Sequence, residues 1–204
     1  MSSPSREAIL SRVRGALQPL TERAAYPAFQ DNVATMPLPL AGNDVWANFK
    51  TRTQLVAGIA LDSFAEVADW LRAKQHLRGY CDPALLPQLQ SVFGADFHLE
   101  TTFDRTRIDD YAFGITRAVG AIAETGTVIL KDASTSSRLA ALAPWVHIAA
   151  LDRASVFPDV ASAVKQLGDD PNVVWCTGPS KTADVEGILI QGVHGPGIQI
   201  TALL

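Results

Sequence analysis

Short apolar runs rich in β-branched and aromatic residues alternate with amphipathic, helix-patterned segments along most of this chain. That alternation argues an α/β fold with an open, largely parallel sheet. The strand-like runs are Leu77–Cys81, Asp96–Glu100, Ala118–Ala123, Thr127–Leu130, Trp145–Leu151, Asn172–Cys176 and Gly197–Leu203. Between and before them lie helical patterns. Trp46, Phe49, Val56 and Ile59 recur near helical spacing. Ser63-Phe64-Ala65-Glu66 is a capping-box sequence that opens a helix with Val67, Trp70 and Leu71 on its core face. Pro83 to Val92, Ser137 to Leu142 and Pro158 to Leu167 supply further helices.

The first segment is also helical. Ser3 can cap it, Pro4 suits its first position, and Ile9, Val13 and Leu17 form one apolar stripe. That stripe serves either to dock the helix on its own domain or to bind a partner. Residues 18–44 carry Pro19, Pro27, Pro37 and Pro39, which block regular helix. Apolar Tyr26, Phe29, Met36, Leu38 and Leu40 make that stretch a packed connector rather than a loose tether. The expected organisation is therefore an N-terminal helix and connector over 1–44, then one α/β domain over 45–204.

Composition excludes several function classes. A chain of 204 residues that is 48% hydrophobic and 19% charged has enough apolar material for a core and is not disordered. Its net charge of −4 and lack of basic runs argue against nucleic-acid binding. No apolar run approaches the roughly 20 residues needed to span a bilayer. The N-terminus lacks the pattern of a secretory signal, so a cytoplasmic setting is expected. Cys81 and Cys176 are the two cysteines; isolated thiols suit a reduced compartment, and they are too few to ligate an iron–sulfur cluster within this chain. His76, His98 and His147 show no metal-ligand spacing, so no metal site is predicted. Walker, G-x-G-x-x-G and G-x-S-x-G motifs are absent.

Three polar loops stand out. In Ala123-Glu124-Thr125-Gly126-Thr127 a carboxylate and two hydroxyls sit at a turn between apolar strands. Glu124 is either part of an ordinary hairpin tip or a carboxylate presented as nucleophile, base or ligand contact. In Thr177-Gly178-Pro179-Ser180-Lys181-Thr182-Ala183-Asp184-Val185-Glu186 a strand runs into what reads as a helix start. Free N–H groups there, with Ser180, Lys181 and Thr182, favour an anion, although Asp184 and Glu186 can satisfy the same donors. In Gly192-Val193-His194-Gly195-Pro196-Gly197 tight turns surround His194, which can act as acid, base or donor near neutrality. Ligands of open α/β sheets bind beyond the carboxyl ends of strands. A shared cleft there, containing Glu124, Ser180, Lys181 and His194, is the expectation. Thr125, Gly126, Thr127, Gly178, Thr182, Asp184 and Gly195 would complete the ligand site.

Taken in series, these loops resemble the LUD-domain family, in particular its lactate utilization protein C group. The resembling segments are Gly114-Ile115-Thr116, the Ala-Ile-Ala-Glu-Thr-Gly-Thr run ending at Thr127, Gly-Pro-Ser-Lys-Thr-Ala-Asp-Val-Glu from Gly178, and Gly-Val-His-Gly-Pro from Gly192. The resemblance covers 110–204 well, adds the Ser-Arg-Glu-Ala-Ile-Leu helix, and is loose over 18–110. It implies a fold like that of glucosamine-phosphate isomerases, ribose-5-phosphate isomerases and CoA transferases. It also implies a role in oxidising L-lactate to pyruvate beside iron–sulfur proteins of the same operon. This chain has no cofactor of its own, so the clusters are expected in those partners. Relatives with cluster-binding cysteines exist in the family, and this chain departs from them. CoA transferases form an acyl thioester on a Glu at a Glu-Asn-Gly turn; Glu124-Thr125-Gly126 is similar, with Thr in place of Asn. Three functions stay open: a subunit of a lactate-oxidising system that binds a small anion at strand ends, a stand-alone enzyme on a phosphorylated or CoA-linked metabolite, and a non-catalytic assembly module.

Overall fold

The computed structural model describes residues 4–19, 42–132, 134–135, 137–167, 172–184 and 187–204. The chain divides into two compact units, Met1–Met36 and Pro37–Leu204. In the first, α1 (Pro4–Leu17) starts at Pro4 as expected. No residue of α1 is buried, and the stripe of Ile9, Val13 and Leu17 is exposed. Most of the expected connector, with Tyr26, Phe29, Met36, Leu38 and Leu40, lies outside the described residues.

The second unit is built on a six-stranded, wholly parallel sheet in the order β1-β12-β7-β4-β2-β3. These strands are β1 (Ile59–Leu61), β2 (Arg78–Cys81), β3 (His98–Glu100), β4 (Phe113–Arg117), β7 (Val146–Leu151) and β12 (Ile198–Leu203). A parallel sheet must be covered on both faces. On one face Phe113, Ile115, Val146, Ile148, Ile200 and Ala202 pack against two helices, α3 (Phe64–Ala73) and α4 (Leu86–Phe93), through Val67, Leu71, Leu89 and Phe93. Ser63 caps α3 as its sequence predicts, accepting the Glu66 N–H at 3.3 Å. Glu66 reaches back to the Asp62 N–H rather than to Ser63, closing the same first turn.

A second sheet, not foreseen in the sequence, covers the other face. Its order is β8-β5-β6-β9, with β5 (Gly120–Ile122), β6 (Thr127–Lys131), β8 (Val156–Phe157) and β9 (Val173–Cys176). Ala121, Ala123, Val128 and Leu130 meet Ala149, Leu151 and Leu203 of the parallel sheet, with Trp46 and Phe49 of α2 (Val45–Leu55) and Ala141 of α5 (Arg138–Leu142) filling the same layer. On its outer face Ile122 and Ile129 pack against α6 (Val160–Leu167) through Ala163. The unit is thus four layers deep: helices, parallel sheet, mixed sheet, helix. The expected parallel α/β architecture is present, and the runs Ala118–Ala123, Thr127–Leu130 and Asn172–Cys176 belong to the second sheet instead of the parallel one. Ile59, read from sequence as helical, begins β1, because Val56 ends the helix and Ile59 pairs with Ile200.

Gly114 shows why one resembling motif has the residue it has. In β4 it passes beneath α5 so closely that an added Cβ would lie 1.9 Å from the Ala140 carbonyl oxygen. Backbone cannot yield as a flexible side chain can, so Gly114→Ala is expected to destabilise by about 3 kcal/mol or more. A lowered urea midpoint at constant slope is the readout, and an unchanged midpoint would refute the contact.

Candidate functional site

The first two loops meet the carboxyl end of α2, and the third is tied to the second. Gly126 has φ 67° and Gly178 has φ 74°, a left-handed backbone that only glycine adopts at little cost. Both also lie tight against α2: a Cβ on Gly126 would come within 2.6 Å of the Thr53 nitrogen, and one on Gly178 within 2.3 Å of the Val56 oxygen. Lys181 Nζ donates to that same Val56 oxygen at 2.7 Å. A cation at this point offsets the negative end of the helix dipole and satisfies a carbonyl the helix leaves over. The first and second loops are further joined by hydroxyls: Thr125 Oγ1 lies 2.7 Å from Thr127 Oγ1, which lies 2.8 Å from Thr177 Oγ1.

Glu124 is buried, and its Oε2 accepts the Val160 N–H at 3.2 Å at the start of α6. Its own N–H donates to the Pro158 oxygen. The carboxylate therefore complements the positive end of that helix.

Residues after Pro179 do not begin a helix. Lys181–Thr182 forms β10, paired antiparallel with β11 (Ile190–Gln191). Extended pairing takes up backbone groups that a helix start would have left for an anion, so the helix-terminus argument does not apply to this loop. Thr182 Oγ1 donates to Asp184 within the hairpin, and Val185 and Glu186 lie outside the described residues. Ser180 joins the hairpin to the third loop. Its N–H donates to the Pro196 oxygen, its carbonyl accepts the Gly192 N–H, both at 2.9 Å, and its Oγ accepts the His194 N–H at 3.3 Å. His194 itself is exposed. Gly195 rests on Ser180, its Cβ position 3.3 Å from that side chain. Gly192 and Gly197 admit the Trp145 ring between them.

The loops follow the carboxyl ends of β5 and β9. Relative to the parallel sheet, however, they sit at the amino ends of β1, β12 and β7: Val56, Gly197 and Trp145 each lead into one of those strands. The expected position beyond the carboxyl edge of the parallel sheet is thus corrected. Parallel strands place the turns that enter them at the opposite edge from the turns that leave them.

A cavity of about 390 Å³ opens beside these loops. Gly178, Pro179, Ser180 and Pro196 form one wall, Cys176 and Ala141 others, and His147 and Gln199 line it from the parallel sheet. Of the sequence-predicted residues, Gly178 and Ser180 reach this cavity; Glu124, Lys181 and His194 are not among its lining. His147 was passed over in the sequence as lacking metal spacing. The signal available was a His and a Gln inside otherwise apolar strands, Val146–Leu151 and Ile198–Leu203, at positions the register pairs directly.

His147 is fully buried with both ring nitrogens engaged. Nδ1 lies 2.8 Å from Gln199 Oε1, and Nε2 lies 2.8 Å from Thr116 Oγ1. Gln199 Nε2 donates to the Ile200 oxygen, which fixes Oε1 as the face toward the ring. An amide oxygen only accepts, so Nδ1 carries the proton and Nε2 accepts from the threonine hydroxyl. Burial lowers the His147 pKa from 6.5 to about 4, so the ring is neutral at pH 7. Burial likewise raises the Cys176 thiol to about 11.

A histidine whose folded pKa is depressed stabilises fully above its unfolded value and loses stability as pH falls toward the folded one. The stability advantage of the native protein over His147→Asn should therefore shrink between pH 6.5 and 4, by on the order of 3 kcal/mol. Urea denaturation of both proteins across that range measures it, and a pH-independent gap would contradict a neutral buried ring.

Comparison with known proteins adds the family. The LUD domain model matches residues 58–204. Lactate utilization protein C of Oceanobacillus iheyensis is 40% identical over 83 residues, covering 37% of this chain and 36% of that protein. Lactate utilization protein C of Bacillus subtilis is 36% identical over 91 residues, covering 41% of this chain and 38% of its own length. The matched part is thus less than half the length of these curated relatives. A crystal structure of a DUF162 family protein from Deinococcus radiodurans superposes with a TM-score of 0.57 at 21% identity, covering 81% of this chain and all of that one, a likeness of fold. With its match running through the parallel sheet, the mixed sheet and all three loops, the chain belongs to the LUD domain family.

Proposed function

We propose that this chain works in lactate utilization as a subunit that binds a small anionic metabolite, lactate or its oxidation product, while iron–sulfur partner proteins of the same operon carry the electrons. The observation that carries the binding part is the cavity of about 390 Å³ where two loops of the family-like series meet a buried polar pair, His147 and Gln199. The relatives' names support the metabolic setting. Oxidation of L-lactate to pyruvate removes two electrons and two protons. Two cysteines, one buried and one half-buried with a thiol raised to about 11, are poorly suited to take those electrons, which supports an acceptor outside this chain's own side chains. Free thiols also fit a cytoplasmic setting. No helix among the described residues is long and apolar enough to cross a membrane.

In this reading Ser180 receives the carboxylate, and Lys181, held on the Val56 oxygen, fixes the loop that carries Ser180. His194, exposed and tied through its N–H to Ser180 Oγ, takes the hydroxyl proton. His147 stays neutral and orients the cavity wall through Thr116 and Gln199. Glu124 contributes by holding α6.

Deleting the protein should abolish growth on L-lactate while leaving growth on glucose intact, and the chain should co-purify with the iron–sulfur partners. Normal growth on lactate in a strain without a paralogue would remove the metabolic assignment. Ligand at 100 times its dissociation constant should stabilise the protein by about 2.7 kcal/mol. A thermal shift with a sugar phosphate or CoA ester, and none with L-lactate or pyruvate, would favour a stand-alone enzyme; no shift with any of them would favour an assembly module. His194→Gln should lower turnover of the assembled complex without changing its assembly, and unchanged turnover would take His194 out of the chemistry.

A further inference from the structure

β2 and β4 are neighbours in the parallel sheet, yet the chain leaves their carboxyl ends toward opposite faces. After β2 it enters α4, which packs with α3. After β4 it enters the mixed sheet on the other side. At such a divergence, beyond the strand ends, open α/β sheets form the crevice in which they bind ligands. The three loops of the candidate site lie at the other end of the strands and leave this crevice unaccounted for.

Two charged residues stand at it. Asp82 follows the last residue of β2, and Arg117 is the last residue of β4. The Asp82 side chain has no exposed surface, and both its oxygens are engaged: Oδ2 accepts from Arg117 Nε at 2.9 Å and Oδ1 from the Ala84 N–H at 2.9 Å. The Arg117 backbone is held as well, its carbonyl accepting the Thr135 hydroxyl. The Arg117 side chain, in contrast, is 40% exposed. Nε is taken by Asp82, and among the described residues no acceptor meets the two terminal nitrogens. Stability does not explain the arrangement. A half-exposed ion pair contributes little, whereas burying a carboxylate completely is costly. A fixed carboxylate that aims an open, planar fork does explain it, since that fork matches two oxygens of a carboxylate or phosphate.

We propose that Arg117, aimed by Asp82, binds a small oxyanion, carboxylate or phosphate, in the crevice beyond the carboxyl ends of β2 and β4. This site is separate from the cavity at His147 and does not depend on the lactate reading.

The test follows the Arg117 Nε–H signal by NMR during titration with sodium pyruvate, sodium L-lactate and inorganic phosphate at constant ionic strength, with chloride as control. A saturable shift with at least one of them, and none with chloride, is expected; which anion produces it tells a carboxylate site from a phosphate site. Arg117→Lys keeps the charge but loses the fork, so affinity measured by calorimetry should fall about tenfold or more. Asp82→Asn retains a polar anchor at the buried position and should also weaken binding, because the guanidinium is no longer aimed. Lys74→Gln, which removes an exposed charge just beyond the end of α3, should leave the affinity unchanged. If Arg117→Lys fails to fold, the double variant Asp82→Asn/Arg117→Gln, which removes both charges together, takes its place and should lose the calorimetric binding event whose affinity matches the Arg117 Nε–H titration. Absence of a saturable shift with all three anions, or native affinity in Arg117→Lys or in the double variant, overturns the proposal.

Discussion

Six parallel strands cannot leave either face in water, and the manner in which the second face is covered shapes the rest of this molecule. One face is covered conventionally, by helices α3 and α4. The other is covered by a second sheet, itself roofed by α6. Side chains of the two sheets interdigitate between the layers, and there Ala121, Ala123, Ala141 and Ala149 leave room for Trp46, Phe49, Leu130, Leu151 and Leu203. Near the amino ends of β7 and β12, polar side chains occupy the floor instead. Thr116, His147 and Gln199 form one hydrogen-bonded run across three strands. A buried polar run that is fully satisfied specifies a single arrangement of its strands.

The residues that make the family resemblance turn out to be engaged in holding these layers together. Gly126, Gly178 and Lys181 all meet the last turn of α2, and Glu124 holds the first turn of α6. Architecture and chemistry are not alternatives here. A loop pinned at both ends by helix termini is a rigid platform, and Ser180, between the hairpin and the His194 loop, is placed by three hydrogen bonds. Rigid placement is what a small ligand needs, because a short molecule offers few contacts from which to recover the entropy of ordering a loose site.

The two ends of the parallel strands therefore have different characters. At the amino ends, glycine turns, hydroxyls and a neutral imidazole surround a cavity. At the carboxyl ends of β2 and β4, a guanidinium stands on a buried carboxylate. Both rest on the same strands: Thr116, which supports His147, directly precedes Arg117.

Much was legible in the sequence because it depends on local pattern. Period-two and helical spacings marked most of the strands and helices, Ser63 announced its cap, and glycines announced the loops. Family membership was legible for the same reason, being carried by three short motifs in order. What stayed hidden depends on partners distant in the chain. Nothing near Lys181 says that it extends into a hairpin and binds Val56, more than a hundred residues earlier. Nothing near Glu124 says that its carboxylate serves α6. His147 looked isolated because its partners, Thr116 and Gln199, come from other strands that only register brings alongside. Asp82 and Arg117 drew no notice as single charges, and they became a pair only once strand order set β2 beside β4. Composition and periodicity thus determined which segments would be strands, helices and turns, because those preferences act between near neighbours. Which side chains meet was decided by topology alone, because strand order and register are settled by burying whole faces at once.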